Sequence, residues 1–222
     1  KIQTYTPDTL TIDCEKADFQ ITEGLWAGKT LYELYQEAHT PLAWHPAIFD
    51  RAREKNLTIF SSPFDEKCVD FLEKLKVPAY KIASFEITDL PLIAHIAKKG
   101  KPMIISTGMA NLSDIEKAVN TAKKHGCIDI ALLHCISSYP APIADANVSI
   151  VPHLANTFGT VSGLSDHTLD NTAAITSIAL GGSIIENLAV CTFLESIFLT
   201  SILPLLKLDI QWSLFATLPG CT

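Results

Sequence analysis

The run Met103-Ile104-Ile105-Ser106-Thr107 is a short apolar segment that ends in two hydroxyl residues. Similar runs lie on both sides of it, at residues 59–62, 80–86, 131–134 and 161–167. The polar ends of successive runs are 22 to 31 residues apart. This spacing is close to the roughly 30 residues that a strand and its helix occupy in a (β/α)8 barrel. The spacing therefore predicts an α/β fold, a (β/α)8 TIM barrel whose chemistry lies at the carboxyl ends of its strands.

Amphipathic segments between these runs predict the intervening helices. Asp65 is expected to cap one helix, and Asn111 with Asp114 has the capping pattern of another. Pro41 is expected to begin a helix that buries Trp44 and Phe49. Residues 6–28 have no sustained period and predict a long loop, and residues 57–61 predict a strand.

The two ends of the sequence depart from the barrel pattern. Residues 1–5 read as the end of a strand with no partner before it, which predicts an incomplete barrel that lacks its first strand. We assign residues 1–186 to a partial barrel domain and 187–222 to a divergent apolar tail, for which a shift of reading frame is one explanation. Residues 188–206 are long enough to cross a membrane, but Glu195 and Pro204 within them disfavour a membrane anchor.

Composition excludes several classes of protein. The 222 residues are 48% hydrophobic, enough for the core of one domain. The formal charge is −7 and no basic run occurs, so nucleic acid is not expected as a partner. The six cysteines form no C-x-x-C pair, and Cys68, Cys127 and Cys135 fall in helical or strand patterns, which predicts that these three are buried free thiols. A reducing cytoplasm fits this usage, and no secretory signal pattern is present.

Lys81, Ser84 and Glu86 lie within six residues at one predicted strand end. A lysine inside an apolar strand is costly without a partner, so we favour binding of a phosphate or carboxylate over a surface ion pair between Lys81 and Glu86. Alternate residues of a strand face opposite sides, so a bend near Ser84 is needed to bring it beside Lys81. Ser62 and Ser106 end neighbouring runs; each alone suits a turn, but together they suggest a ring of anion-binding groups.

His134 and His167 end two further strands. Histidines in such positions bind metals or transfer protons, although a lone histidine is more often a satisfied polar residue. Asp166 is expected either to orient His167 or to cap the following helix.

Taken together, these motifs resemble the sialic acid (nonulosonic acid) synthase family, over residues 1–186. The motifs are KIQTY (1–5), FSSPF (60–64), PAYKIASFE (78–86), STGM (106–109), LLHC (132–135) and GLSDHT (163–168). Four further segments resemble its pseudaminic acid synthase branch: QTYTPD (3–8), GLW (24–26), LYELYQEA (31–38) and SYPAP (138–142). The resemblance implies a cytoplasmic barrel enzyme that condenses phosphoenolpyruvate with an N-acetylated amino sugar, of the 2,4-diacetamido-2,4,6-trideoxy-altrose type, and releases phosphate. N-acetylneuraminate and legionaminic acid synthases are the alternatives.

The resemblance also implies roles for individual residues. Those that match phosphoenolpyruvate-binding positions are Lys1, Ser62, Lys81, Ser84, Ser106 and Ser165. Those expected to line the site are Phe64, His134, Ser137 and Tyr139. Glu86 is expected to contact the sugar and move protons, and His167 to bind a divalent Mn²⁺ or Mg²⁺.

One departure from the family pattern concerns the metal. Leu188 stands where the family has its second metal-binding histidine. A single histidine is a poor metal site, so we expect this chain alone to be inactive. The resemblance implies that its full-length parent is a homodimeric enzyme. A non-catalytic remnant that keeps the phosphate site is the competing interpretation.

Overall fold

Within the part of the chain that the structure describes, seven parallel strands form one sheet in which each strand pairs with the next along the chain. The computed structural model describes residues 1–23, 26–138 and 140–187. The strands are β1 (Ile2–Thr4), β2 (Ser61–Pro63), β3 (Tyr80–Ile82), β4 (Met103–Ser106), β5 (Ile130–Cys135), β6 (Val161–Asp166) and β7 (Ile184–Asn187). The sheet curls into an incomplete (β/α)8 barrel, as predicted from the alternation of strands and helices.

Helices connect successive strands and cover the outside of the curled sheet. The α-helices of the described residues are α1 (Pro7–Leu10), α2 (Leu31–Ala38), α3 (His45–Glu54), α4 (Glu66–Lys74), α5 (Leu90–Ala97), α6 (Leu112–Lys124), α7 (Ile150–Phe158) and α8 (Thr172–Ala179). Short 3-10 helices span Ala17–Phe19, Leu42–Trp44, Ser84–Thr88 and Ile143–Asp145. None of the helices in these described ranges is long and apolar enough to cross a membrane.

Two helices are capped by the residues that the sequence predicts. The Asp65 carboxylate accepts a hydrogen bond from the backbone N–H of Cys68 at 2.6 Å and so caps α4. At the start of α6, the Asn111 side chain accepts from the Asp114 N–H at 3.1 Å, and the Asp114 carboxylate accepts from the Asn111 N–H at 3.4 Å. These side chains satisfy backbone donors that have no partner within the helix.

Strand alternation divides the barrel into an outer core and an inner polar surface. Tyr80, Ile82, Met103 and Ile105 are completely buried and face the helices. In each strand, the residue between the two buried ones faces the barrel interior, because successive side chains of a strand point to opposite faces. Lys81 is one of these interior residues, and the same alternation along the other strands places the site.

Three local predictions were wrong. Trp44 is 54% exposed because residues 42–44 form a separate 3-10 turn and α3 begins only at His45, whereas Phe49 is buried as predicted. Leu57 is 62% exposed and the strand begins at Ser61, since Asn56 adopts a positive φ of 54° that turns the chain. Residues 6–28 are not wholly loop, because Pro7 begins α1 at a position that suits its fixed φ.

The predicted tail falls almost entirely outside the described residues. Asn187 is still part of β7, and residues 188–222 lie beyond the part of the chain that is described, as do residues 24, 25 and 139. Cys68, Cys127 and Cys135 are buried and free, as predicted from the helical and strand patterns in which they lie.

Candidate functional site

Two lysines and one glutamate meet inside the curled sheet. The Lys1 Nζ lies 2.6 Å from Glu186 Oε1, and the Lys81 Nζ lies 3.5 Å from Glu186 Oε2. All three residues are buried, with Lys81 only 2% exposed. Lys1 directly precedes β1, Lys81 lies in β3 and Glu186 in β7, so the curl of the sheet is what brings them together.

Serine hydroxyls from the neighbouring strands accept hydrogen bonds from both lysines. Lys1 donates to Ser62 Oγ at 3.5 Å, and Lys81 donates to Ser106 Oγ at 2.6 Å. Lys81 also donates to the Ile82 carbonyl at 3.0 Å. The ion pair of Lys81 is therefore an internal one with Glu186, which disagrees with the alternative of a surface pair with Glu86.

Ser84 belongs to a second group of hydrogen-bonded hydroxyls, separate from the contacts of the two lysines. Strand β3 ends at Ile82 and the chain turns into the 3-10 helix at Ser84, which is the bend that the sequence required. Ser84 Oγ accepts hydrogen bonds from Ser137 Oγ and from the Met109 backbone N–H, both at 3.0 Å. These bonds tie together the loops that follow β3, β4 and β5.

The loop after β4 requires a glycine at position 108. A Cβ on Gly108 would lie 2.6 Å from Cys135 Sγ, 2.7 Å from the Cys135 carbonyl oxygen and 2.8 Å from Ser137 Oγ. Real side chains do not approach so closely, so only glycine allows the two loops to pack in this way.

His167 is held in one tautomer by the loop after β5. Its Nδ1–H donates to the Ile136 carbonyl at 2.9 Å, because a carbonyl can only accept. Burial lowers the pKa of His167 and so favours the neutral ring, in which Nε2 is unprotonated; this nitrogen lies 3.5 Å from Ser165 Oγ. Asp166 takes neither of its two predicted roles, since its carboxylate accepts from the Thr168 N–H at 2.9 Å and so stabilises the turn beyond His167.

This orientation of His167 suits a metal ligand, because metal-binding histidines usually donate their other ring N–H to a carbonyl or carboxylate. Over residues 1–23, 26–138 and 140–187, however, no three His, Cys, Asp or Glu residues are grouped to hold an ion. Leu188, the expected place of a second ligand, is outside these ranges. The described residues thus offer one oriented nitrogen for Mn²⁺ or Mg²⁺ and not a complete set of ligands.

Burial and the ion pairs shift the pKa values of the charged groups. Burial lowers the pKa of the Lys1 side chain to about 8, although Glu186 opposes this shift. Burial acts to raise the pKa of Glu186, but Lys81 and Lys1 outweigh it and lower that pKa to about 2. Burial raises the pKa of Glu86, whose Oε2 is buried without a hydrogen-bond partner among the described residues.

Of the residues expected to line the site, His134 faces away from it, and the role of Phe64 there stays a prediction. His134 precedes Cys135 in β5 and so faces the opposite side of the strand, where its Nε2–H donates to the Ala146 carbonyl at 2.9 Å. Phe64 packs edge-on against Tyr5, with ring centroids 5.5 Å apart. Tyr139 is not among the described residues.

Glu186 is the site residue that reasoning from the sequence did not identify. A charged residue in the apolar run Ser183-Ile184-Ile185-Glu186 carries the same signal that identified Lys81, namely the cost of burying an unpaired charge.

Comparison with known proteins gives one family. The sequence model of the NeuB family matches residues 1–190. The chain is 45% identical over 186 residues to the pseudaminic acid synthase of Helicobacter pylori and 44% identical over 186 residues to that of Campylobacter jejuni. Each match covers 84% of this chain but 55% and 54% of the two relatives, so the chain spans about half their length.

A solved structure shares the fold. The N-acetylneuraminic acid synthetase of Leptospira borgpetersenii, determined in complex with citrate, superposes with a TM-score of 0.69 at 32% identity. The superposition covers 74% of this chain and 58% of that one.

Proposed function

Because this chain belongs to the NeuB family, we propose that it carries most of the catalytic barrel of a phosphoenolpyruvate-dependent nonulosonic acid synthase. The reaction joins C3 of phosphoenolpyruvate to the aldehyde carbon of an N-acetylated amino sugar, adds water at C2 and releases phosphate. The observation that carries the proposal is the meeting of Lys1 and Lys81 with the hydroxyls of Ser62 and Ser106 in one buried place.

The lysines and serines are suited to hold the phosphoenolpyruvate. Ammonium and hydroxyl groups are the donors that phosphate and carboxylate oxygens accept from most strongly. The site is buried, so these interactions are stronger than they would be in water. Holding the phosphate and carboxylate fixes C3 for attack, and such positioning accounts for a large part of the rate enhancement of many enzymes.

Glu86 is suited to transfer a proton to the sugar. The aldehyde oxygen becomes an alkoxide as the carbon–carbon bond forms, so it needs a proton. Burial raises the pKa of Glu86 towards the range in which a carboxyl group can donate and accept protons near neutral pH. Its buried Oε2 has no partner among the described residues and is thus available to a substrate hydroxyl or carbonyl.

A divalent cation, Mn²⁺ or Mg²⁺, would be held by His167 Nε2 together with water and substrate oxygens. When bound, it would polarise the sugar aldehyde as a Lewis acid. His167 itself contributes a fixed orientation, because its Nδ1–H is held by the Ile136 carbonyl.

The sugar substrate we propose is the 2,4-diacetamido-2,4,6-trideoxy-altrose type, since the pseudaminic acid synthases are more similar to this chain than the neuraminate synthetase is. The enzyme would act in the cytoplasm, where phosphoenolpyruvate is formed.

The test is phosphate release by the protein that contains this chain, with phosphoenolpyruvate, a divalent metal and each of three sugars. We expect release with the diacetamido altrose sugar and little with N-acetylmannosamine or the legionaminic acid precursor. Release with N-acetylmannosamine alone would assign the protein to the neuraminate branch. No release with any sugar would contradict the proposal.

A second candidate function is a non-catalytic phosphate-binding remnant. The observation in its favour is that the lysine and serine cluster is complete within the described residues, whereas the metal ligands there are not. On this alternative, phosphoenolpyruvate would raise the melting temperature and a divalent metal would change nothing.

A further inference from the structure

Glu186 occupies the place between the two lysines at which an anionic ligand would be expected. Its two carboxylate oxygens contact different lysines, Oε1 at 2.6 Å from Lys1 and Oε2 at 3.5 Å from Lys81. Glu186 is 7% exposed, so water contributes little to stabilising this charge. The three side chains form a buried triad with a net charge of +1.

We propose that Glu186 is a positioning residue of the anion site, a built-in counter-ion that holds Lys1 and Lys81 together and charged until a dianion binds. This inference rests on the proposed function, since it takes the lysine cluster to be the phosphoenolpyruvate site. It goes further in assigning a role to Glu186 and in making the charge of that residue a determinant of how anion binding depends on pH.

The reason lies in the cost of placing two ammonium groups side by side in a buried site. Without Glu186, Lys1 and Lys81 repel each other and burial disfavours both charges. Lys1 is the group that would lose its proton, because burial already lowers its pKa to about 8 while Glu186 supports the charged form. A site with one neutral lysine binds a dianion only by taking up a proton.

Other titratable groups face this cluster and enter the design of the test. Lys81 comes from β3, Glu86 from the 3-10 helix after β3, and His167 from the turn after β6; the charges of Glu186 and Lys81 both influence the pKa of His167. The variants must therefore separate the Lys1 side chain from these neighbours.

Glu186→Gln tests the proposal, because glutamine keeps the shape and removes the charge. The probe is sulfate, which stays a dianion throughout the range, and its affinity is measured by calorimetry between pH 6.0 and 7.5. We expect the wild-type affinity to change by less than about twofold, because its Lys1 stays mostly protonated below pH 8. In the variant we expect affinity to fall at least about fivefold as pH rises, with proton uptake on binding.

Three further variants make the result specific. Glu186→Asp keeps the charge and should restore the flat wild-type profile. The double variant Lys1→Gln with Glu186→Gln removes the titrating side chain, so its profile should also be flat. Glu73→Gln removes a carboxylate that pairs with Lys101 on the outside of the barrel and should behave as wild type.

The outcomes separate this inference from the proposed function. A flat profile for a folded Glu186→Gln protein that still binds sulfate would overturn the inference and leave the phosphoenolpyruvate site intact. If Glu186→Gln does not fold, a pH-dependent profile for Glu186→Asp would overturn it instead. A wild-type protein that binds neither sulfate nor phosphoenolpyruvate would overturn both.

Discussion

Lys1 and Glu186 form a buried ion pair, with 2.6 Å between Lys1 Nζ and Glu186 Oε1, that joins the two edges of the described sheet. Lys1 precedes β1 and Glu186 lies in β7, and the described residues record no backbone pairing between these strands. The ion pair therefore connects the two edges of the curled sheet through its interior. This contact makes the anion site and the closure of the barrel depend on the same charges.

Lys81→Met should weaken phosphoenolpyruvate binding by roughly 10- to 100-fold, since hydrogen bonds to charged groups contribute about 1.5–3 kcal/mol each. Calorimetric titration measures this loss. Lys101→Met is the matched control, because Lys101 pairs with Glu73 away from the barrel interior and should leave the affinity unchanged. Equal affinities for wild type and Lys81→Met would show that the ligand binds elsewhere.

Glu86→Gln should raise the melting temperature at neutral pH and abolish sugar condensation. The folded-state pKa of Glu86 is raised by burial, so the folded protein holds its proton more tightly than the unfolded chain does. The contribution of Glu86 to the stability of the wild type is therefore fully present below the unfolded pKa and is lost as pH rises through the folded pKa. Glutamine removes this loss, so the gain in melting temperature should be present at pH 7.5 and vanish near pH 4.

Thermal denaturation at several pH values checks this sign. Glu116→Gln, on the exposed face of α6, serves as the control and should show no such pH-dependent gain. A Glu86→Gln protein that is less stable than wild type at every pH would contradict the burial argument.

Divalent metal should bind the 222-residue chain weakly and through His167. Within residues 1–23, 26–138 and 140–187, His167 has no grouped carboxylates to complete a metal site, so we expect Mn²⁺ to raise the melting temperature only at roughly millimolar concentration. His167→Ala should remove this shift, and His153→Ala, at an exposed position, should keep it. Stabilisation of wild type by micromolar Mn²⁺ would indicate a more complete site than the described residues contain.

Gly163→Ala should destabilise the protein and displace Glu186. A Cβ at this position would lie 1.9 Å from the Ile184 carbonyl oxygen, so β7 must move away from β6. We expect a loss of about 1–3 kcal/mol in the free energy of unfolding, or more, together with weaker binding of sulfate. Val161→Ala, at the half-exposed start of β6, is the control, and denaturant unfolding of the two variants gives the comparison.

Much of the site could be predicted because a strand has a period of two. The same alternation that buries Tyr80 and Ile82 against the helices directs Lys81 inward, and a lysine in that position needs an anionic partner. The sequence identifies Ser62 and Ser106 because they end neighbouring runs, and the strand register, in which Ser61 pairs with Tyr80 and Lys81 with Ile104, places them on the face of Lys81.

His134 shows where that reasoning was incomplete. It was selected for lying at a strand end, without regard to which face it occupies, and one residue of register separates it from the inward Cys135. The partner of Lys81 was also missed, because ion pairing between β3 and β7 depends on the curl of the sheet and no local pattern records it. The exposed Trp44 likewise depends on where a helix begins, which is the least certain part of a periodic pattern.

The most direct test is a crystal structure of this protein with phosphoenolpyruvate bound. We expect one ligand inside the barrel, with its phosphate or carboxylate oxygens within hydrogen-bond distance of both Lys1 Nζ and Lys81 Nζ and of the Ser106 hydroxyl. A ligand bound outside the barrel, or one that contacts neither lysine, would contradict it.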